Sequence, residues 1–394
     1  MLTSEATERP GRLYELDWLR VLVIINLVPW HAAYMMTSVP EFSHIPKDAF
    51  SASVLRYYTV FFSRWQMPLM FFIAGASACI SLAHRSPKAF AMERVRRLLV
   101  PLAFFMVVFY PLFLYFWPEA SQSKSLSDYL LRFWPHCLST IYYSSFPGRY
   151  PMPGWGHLWF VAYLSIFSLI ILPLFVHLRS RVNIGSAARY ATLLAGRGGI
   201  ILLGLPLVLV NMGLTPKWPM AKVDLYDDWA YFCYNLTAFL YGYMLCRDQR
   251  FWQSIDRYLK ILLPLAVLLT SLVVFMRFEM PEFSKPAYTS RYMFYSLFFG
   301  FHTWFCILAA VALAKRFLRS TNRFLDYFSR ASYPFYILHL VVMSVIGHYI
   351  VQWRMGVLAE FVILSLLCFA VTIVSFELLV DRLRITRFLF GVKS

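Results

Sequence analysis

Residues 15–31 read ELDWLRVLVIINLVPWH, and the apolar run they begin continues to Met36. A helix of roughly twenty mainly apolar residues is what a bilayer's hydrocarbon core demands. The run 16–36 therefore reads as a transmembrane span. Within it stand Asp17, Arg20 and His31, and an ionisable group in a span costs about 2.5–3.5 kcal/mol on insertion scales. Each is a functional candidate until a structural partner explains it.

Nine further segments read the same way, at approximately 57–83, 98–117, 157–177, 199–212, 229–246, 261–276, 292–314, 331–350 and 357–380. The expected fold is all-α and polytopic, with about ten transmembrane helices in one domain over 1–394. The fifth span is short and carries Gly199, Gly204, Pro206 and Gly213, so a broken or re-entrant helix is expected there. Composition agrees, since 60% of the 394 residues are hydrophobic and 14% are charged. With a mean hydropathy of +0.58, the chain is too apolar for a soluble domain. Met1 to Tyr14 is polar and the first apolar run is long enough to stay in the bilayer, so no cleaved leader is expected.

The net charge of +17 would suggest nucleic acid in a soluble protein. Here the charge follows the spans. With the N-terminus in the cytoplasm, that side carries 24 Lys and Arg against 11 outside, and Arg20 and Arg64 lie within spans. The positive-inside rule then places both termini in the cytoplasm and makes anionic membrane lipids, not nucleic acid, the partners of the basic loops. Cys79, Cys137, Cys233, Cys246, Cys306 and Cys368 are scattered, mostly inside apolar runs, and lack the spacing of disulfides or metal ligands. They read as small core residues, and no metal site is expected.

Asp17 and Arg20 are three residues apart and are spaced for an intrahelical pair. His31 follows Arg20 by eleven residues, which on a helix is three turns plus about 20°, at an axial distance of roughly 16 Å. A guanidinium at one mouth with an imidazole deeper on the same stripe suits a substrate with an anionic head and a reactive end. Pro29 loosens the backbone beside His31. In FFSRWQMPLMFFIAGASA, Arg64 and Gln66 are expected near the outer end of the second span, and Ala74-Gly75-Ala76-Ser77 allows close helix approach. In ERVRRLLVP, Arg94 and Arg97 share a helical face at the cytoplasmic surface, as a pair of phosphate-binding guanidinium groups would or as a plain basic cluster would.

GWGHLWFVAYL places His157, Trp155 and Trp159 at the external interface, and SYPFYILHLVV carries Ser332, Tyr336 and His339. Glu377, followed by Asp381 and Arg382, could orient an imidazole, pair with Arg20, or bridge to Arg382 or Arg384. His302 has no motif around it and reads as structural. In the external loop 118–156, Phe133, Trp134, Tyr142, Tyr143, Phe146, Tyr150 and Trp155 are placed either to stack on a sugar chain or to anchor the interface.

These pieces, in this order, resemble the acyltransferase 3 family of membrane O-acyltransferases over nearly the whole chain. An Arg or Lys and a His separated by ten residues in the first span corresponds to Arg20 and His31, and Arg-x-x-Arg before the third span to Arg94 and Arg97. The HLWF segment at 157–160, the Tyr336 to His339 segment and the ending FELLVDRLRITRFLFG are similar to the branch that includes glucan biosynthesis protein C. The resemblance implies a multi-pass protein of the inner (plasma) membrane with acyl-coenzyme A as cytosolic co-substrate and no permanently bound cofactor. Its donor phosphates would lie on Arg94 and Arg97 with Arg20 at the mouth. His31 would be the general base, and the acyl group, succinyl in that branch, would pass to a hydroxyl of a periplasmic glucan. His157, Trp159, Tyr336, His339, Glu377 and Arg64 are the expected supporting residues, with Asp17 beside the catalytic pair. The alternatives are a secondary transporter or flippase for a glycan or lipid, although no matching half is visible, and a structural partner of a glycan synthase. The oligomeric state, a homo-oligomer included, is open.

Overall fold

The computed structural model describes residues 13–38, 48–116, 155–181, 199–220, 227–246 and 249–392, with 125, 127, 131 and 225. Among these there are helices and no strand. The loop aromatics Phe133, Trp134, Tyr142, Tyr143, Phe146 and Tyr150, and Cys137, lie outside the described residues. The helices are α1 (Tyr14–Ser38), α2 (Ala49–Ser63), α3 (Gln66–His84), α4 (Pro87–Arg94) and α5 (Val100–Phe116). There follow α6 (Trp159–Ile170), α7 (Leu172–Arg181), α8 (Leu205–Gly213), α9 (Trp229–Leu245) and α10 (Gln249–Phe278). The last are α11 (Ser290–Phe317), α12 (Arg323–Ile350), α13 (Val357–Ser375) and α14 (Arg384–Leu389).

Seven stretches among the described residues are long and apolar enough to cross a membrane, namely Tyr14–Ser38, Ala49–His84, Pro87–Phe113, Phe251–Phe278, Ser290–Phe317, Arg323–Ile350 and Val357–Val380. Gly156–Ile170 and Gly199–Gly213 are shorter apolar helices, and α9 has 17 residues. Seven of the expected spans overlap these stretches, the fourth and fifth fall on the two shorter apolar helices, and the sixth on α9. The protein is an all-α polytopic membrane protein.

Several boundaries differ from expectation for local reasons. The second span is not one helix over 57–83. It breaks at Arg64 and Trp65, where α2 ends and Pro68 sits in the first turn of α3 without an N–H to donate. Asp48 caps the start of α2 by accepting from the Ser51 N–H at 2.8 Å. The fourth span is interrupted at Ile171, before Pro173, and the fifth at Leu203 and Gly204, before Pro206. The third begins already at Pro87 and reaches α5 through a π-helical turn, Val95–Leu99, so Arg94 and Arg97 lie on continuous helix and not in a loop. Spans seven and nine also start earlier than expected, at Gln249 and at Arg323, the latter capped by Asn322 through the Leu325 N–H at 2.8 Å.

Small residues set the tightest contact. Helices α3 and α9 approach so closely that a Cβ at Gly75 would overlap the Phe239 carbonyl, and one at Gly242 the Phe72 carbonyl. The small-residue stretch of α3 therefore meets its match on α9, as van der Waals packing between membrane helices favours. Of the described cysteines, Cys79, Cys246, Cys306 and Cys368 are buried and Cys233 is partly so.

Candidate active site

Helices α1 and α12 pack side by side and α6 lies close by, which brings His31, His157 and His339 together. The ring centroids of His31 and His339 are 5.1 Å apart, and those of His157 and His339 5.3 Å. Main-chain carbonyls fix each ring. His339 Nδ1 lies 2.7 Å from the Tyr336 carbonyl oxygen, and His157 Nε2 lies 3.2 and 3.1 Å from those of Tyr336 and Ile337. His31 Nδ1 lies 2.9 Å from the Leu27 carbonyl oxygen. A carbonyl only accepts, so the nitrogen beside it carries the proton.

The tautomers follow in chain. His339, protonated on Nδ1, offers the Nε2 lone pair, which faces His31 Nδ1 at 3.3 Å. The His31 Nδ1–H is thus shared between Leu27 and His339. His31 Nε2 is left unprotonated, with no hydrogen bond among the described residues, and His31 as a whole is partly exposed. The Trp30 ring lies edge-on to His31 at 4.9 Å and donates its own N–H to the Thr59 carbonyl of α2 at 3.0 Å. Among the described residues no set of His, Cys, Asp and Glu side chains has the arrangement to hold a metal ion.

His157 does not lie at an interface. It is 7% exposed and packs against the middle of α12. Gly156, at φ +52°, turns the chain inward there, a backbone form that suits glycine. The Tyr336 hydroxyl donates to the His157 carbonyl, so the two segments clasp each other. Trp159 lies beside Tyr231 of α9, with ring centroids at 4.9 Å.

At the end where α1 begins, Asp17 and Arg20 form the intrahelical pair, at 3.0 Å. The Arg94 guanidinium lies over the Phe90 ring at 4.7 Å, with its Nε buried and unpartnered. Arg97 donates to the Gly391 carbonyl at 3.3 Å and approaches Glu93 at 3.4 Å, while Arg85 also pairs with Glu93. Glu93, absent from the sequence reading, is the acid that holds this cluster.

The model of the acyltransferase 3 family, described as an acyltransferase domain, matches residues 13–379. The chain belongs to this acyltransferase family. No curated protein and no solved structure matches it. The match contains Arg20, His31, Arg64, Arg94, Arg97, His157, Trp159, Tyr336, His339 and Glu377, whereas Asp381, Arg382, Arg384 and Gly391 follow it. Within the acyltransferase, one expected supporting residue has a partner other than those anticipated, and another stands elsewhere. Glu377 lies in the π-helical turn Phe376–Val380 beside the Tyr327 hydroxyl, and among the described residues it forms no ion pair with Arg20, Arg382 or Arg384. Arg64 is not near an outer end: its carbonyl accepts from Thr303, halfway along the 28 residues of α11, at 3.0 Å.

Proposed function

We propose that this membrane acyltransferase moves an acyl group, succinyl being the candidate, from cytosolic acyl-coenzyme A to a hydroxyl of an extracytoplasmic glycan, with His31 as general base. The observation that carries the reading is the pair of contacts that hold His31 through Nδ1, from which its tautomer follows. Its Nδ1–H is anchored by Leu27 and His339, which leaves the Nε2 lone pair for a proton. Imidazole suits that task because its ordinary pKa lies near neutrality.

In this reading Nε2 takes the acceptor's hydroxyl proton as that oxygen attacks the thioester carbonyl. The tetrahedral intermediate then collapses, the C–S bond breaks, and the coenzyme A thiolate recovers the proton from the imidazolium. The positive charge that forms on His31 is stabilised by the lone pair of His339 and the Leu27 carbonyl, both already in place. Arg94, with its unpartnered Nε, and Arg97 supply guanidinium groups for the donor's phosphates, and Arg20 stands at the same end. That end is assigned to the cytoplasm of an inner (plasma) membrane, where basic residues gather and anionic lipids are their neighbours.

The test is mass spectrometry of envelope glycans and lipids from cells that carry the protein or its His31→Ala form. An acyl mass increment present only with the unaltered protein supports the reading and names both substrates. An equal increment in the two samples removes His31 from the chemistry.

A further inference from the structure

A second buried polar cluster surrounds Arg64. The guanidinium lies over the Phe299 ring at 5.3 Å, within electrostatic reach of His302 and of the Tyr231, Tyr234 and Tyr292 side chains. Asp228, at the head of α9, acts on Tyr231 in the same way. On the far side Tyr292 donates to Asn211 Oδ1 at 3.0 Å, and Thr215 to the same oxygen at 2.9 Å. Along α11, Tyr292, Tyr295, Ser296, Phe299 and Thr303 recur at three- and four-residue intervals, so one face runs from the first turn to the depth of Arg64.

Several atoms here lack partners. Arg64 Nε and Asn211 Nδ2 are donors without acceptors, Asp228 Oδ2 is an acceptor without a donor, and both His302 nitrogens are unpartnered. His302 and Asp228 are 1% exposed and Asn211 is 2% exposed. Among the described residues Arg64 has no ion pair. Polar atoms buried at this depth are expensive unless something pairs with them.

The mixture decides what that is. A carboxylate or phosphate would satisfy only the donors, and an ammonium only the acceptors. A hydroxyl donates and accepts at once, and a sugar ring carries several next to an apolar face suited to tyrosine. We infer that the cluster of Arg64, Asn211, Asp228 and His302 is a binding site for a hydroxyl-rich ligand, a sugar unit of the acceptor. This rests on the acyl-transfer reading above. Two contacts join neighbours of the cluster to neighbours of the histidines. Tyr231 touches Trp159, two residues from His157, and Gln66, two residues after Arg64, accepts from Asn26 of α1 at 3.1 Å.

The full-length protein in lipid nanodiscs, free of sugar detergents, is titrated calorimetrically with a linear glucose oligosaccharide and separately with succinate, without acyl donor. Saturable oligosaccharide binding is expected in the unaltered protein and in His31→Ala, weakened at least tenfold in Arg64→Gln and in Asp228→Asn. Should either variant fail to fold by its thermal transition, Asn211→Ala, which removes only a neutral amide, carries the same expectation. Undiminished binding in the folded variants, or no saturable binding at all, overturns the proposal. Succinate binding that is lost in Arg64→Gln, without oligosaccharide binding, overturns it in favour of an anion site. Failure of the acyl-transfer reading shows separately, as oligosaccharide binding intact but no transfer from acyl-coenzyme A.

Discussion

The imidazole of His31 is held by a main-chain carbonyl and a second imidazole, and this division of labour separates what the two histidines do. His31→Ala removes the base, and kcat is expected to fall by roughly 10²–10⁴-fold, the usual worth of a positioned acid or base. His339→Phe keeps the ring volume and removes the lone pair that faces His31 together with the Nδ1–H that meets the Tyr336 carbonyl. A smaller fall in kcat with unchanged KM for both substrates is expected, and steady-state kinetics on the two purified variants measures it. Asp228 gives a pH prediction. Burial holds its carboxyl up to about 6 from the ordinary 3.8, so the folded protein favours the protonated form. Its contribution to stability is full below about 4 and is lost as pH rises through 6. Asp228→Asn should flatten the thermal-stability profile over that window, leaving the unaltered protein the more pH-sensitive of the two. Of these residues His31 was legible because a histidine in a span has few reasons to be there, whereas His302 was not, since nothing in a sequence shows that a buried ring lacks partners.

At the scale of helices, the α3 and α9 contact tolerates no side chain at its crossing. Gly75→Val or Gly242→Val would drive a branched side chain into a facing carbonyl, and overpacking of this kind destabilises by about 1–3 kcal/mol. A lowered thermal transition with each single variant is the expected outcome, and an unaltered transition would mean that the helices sit further apart. The Gly75 stretch announced this contact through its composition, although its partner on α9 could not be read. The π-helical turn was equally invisible, yet it sets where Arg94 and Arg97 stand on continuous helix. Arg94→Ala combined with Arg97→Ala should raise the KM for acyl-coenzyme A while leaving that for the acceptor unchanged. Ser63, Arg64, Gln66 and Pro68 do interrupt the apolar run, but the expected span began only at 57, which set the arginine near its end. The fold shows that α2 starts at Ala49, so that 15 residues precede Arg64 and its carbonyl meets the middle of α11.

At the scale of the whole molecule, contacts between helix ends give the bundle a direction. Trp18 of α1 donates to the Ser320 carbonyl at 2.9 Å, Arg330 pairs with Asp381 at 3.2 Å and Arg97 reaches Gly391, so the start of α1, the α11 to α12 connection and the C-terminal segment share one end. At the other end Ser38, Arg56, Arg277 and Pro281 line a pocket of about 330 Å³ beside Thr59, whose carbonyl receives Trp30. That the fold is all-α and crosses the bilayer several times was readable in advance because hydrocarbon thickness acts on composition alone. The meeting of α1, α6 and α12 was not, since lipid-facing and buried helix faces are both apolar. If the basic end is cytoplasmic, a cysteine in place of exposed Lys88 should react with a membrane-impermeant maleimide only after the cells are opened, and one in place of exposed Arg277 should react on intact cells. Cys79, Cys246, Cys306 and Cys368 are buried, and Cys137 and Cys233 are replaced by serine beforehand to remove their background. The reverse labelling pattern would put the donor arginines outside the cell, away from cytosolic acyl-coenzyme A, and the direction of transfer would have to be reversed with them.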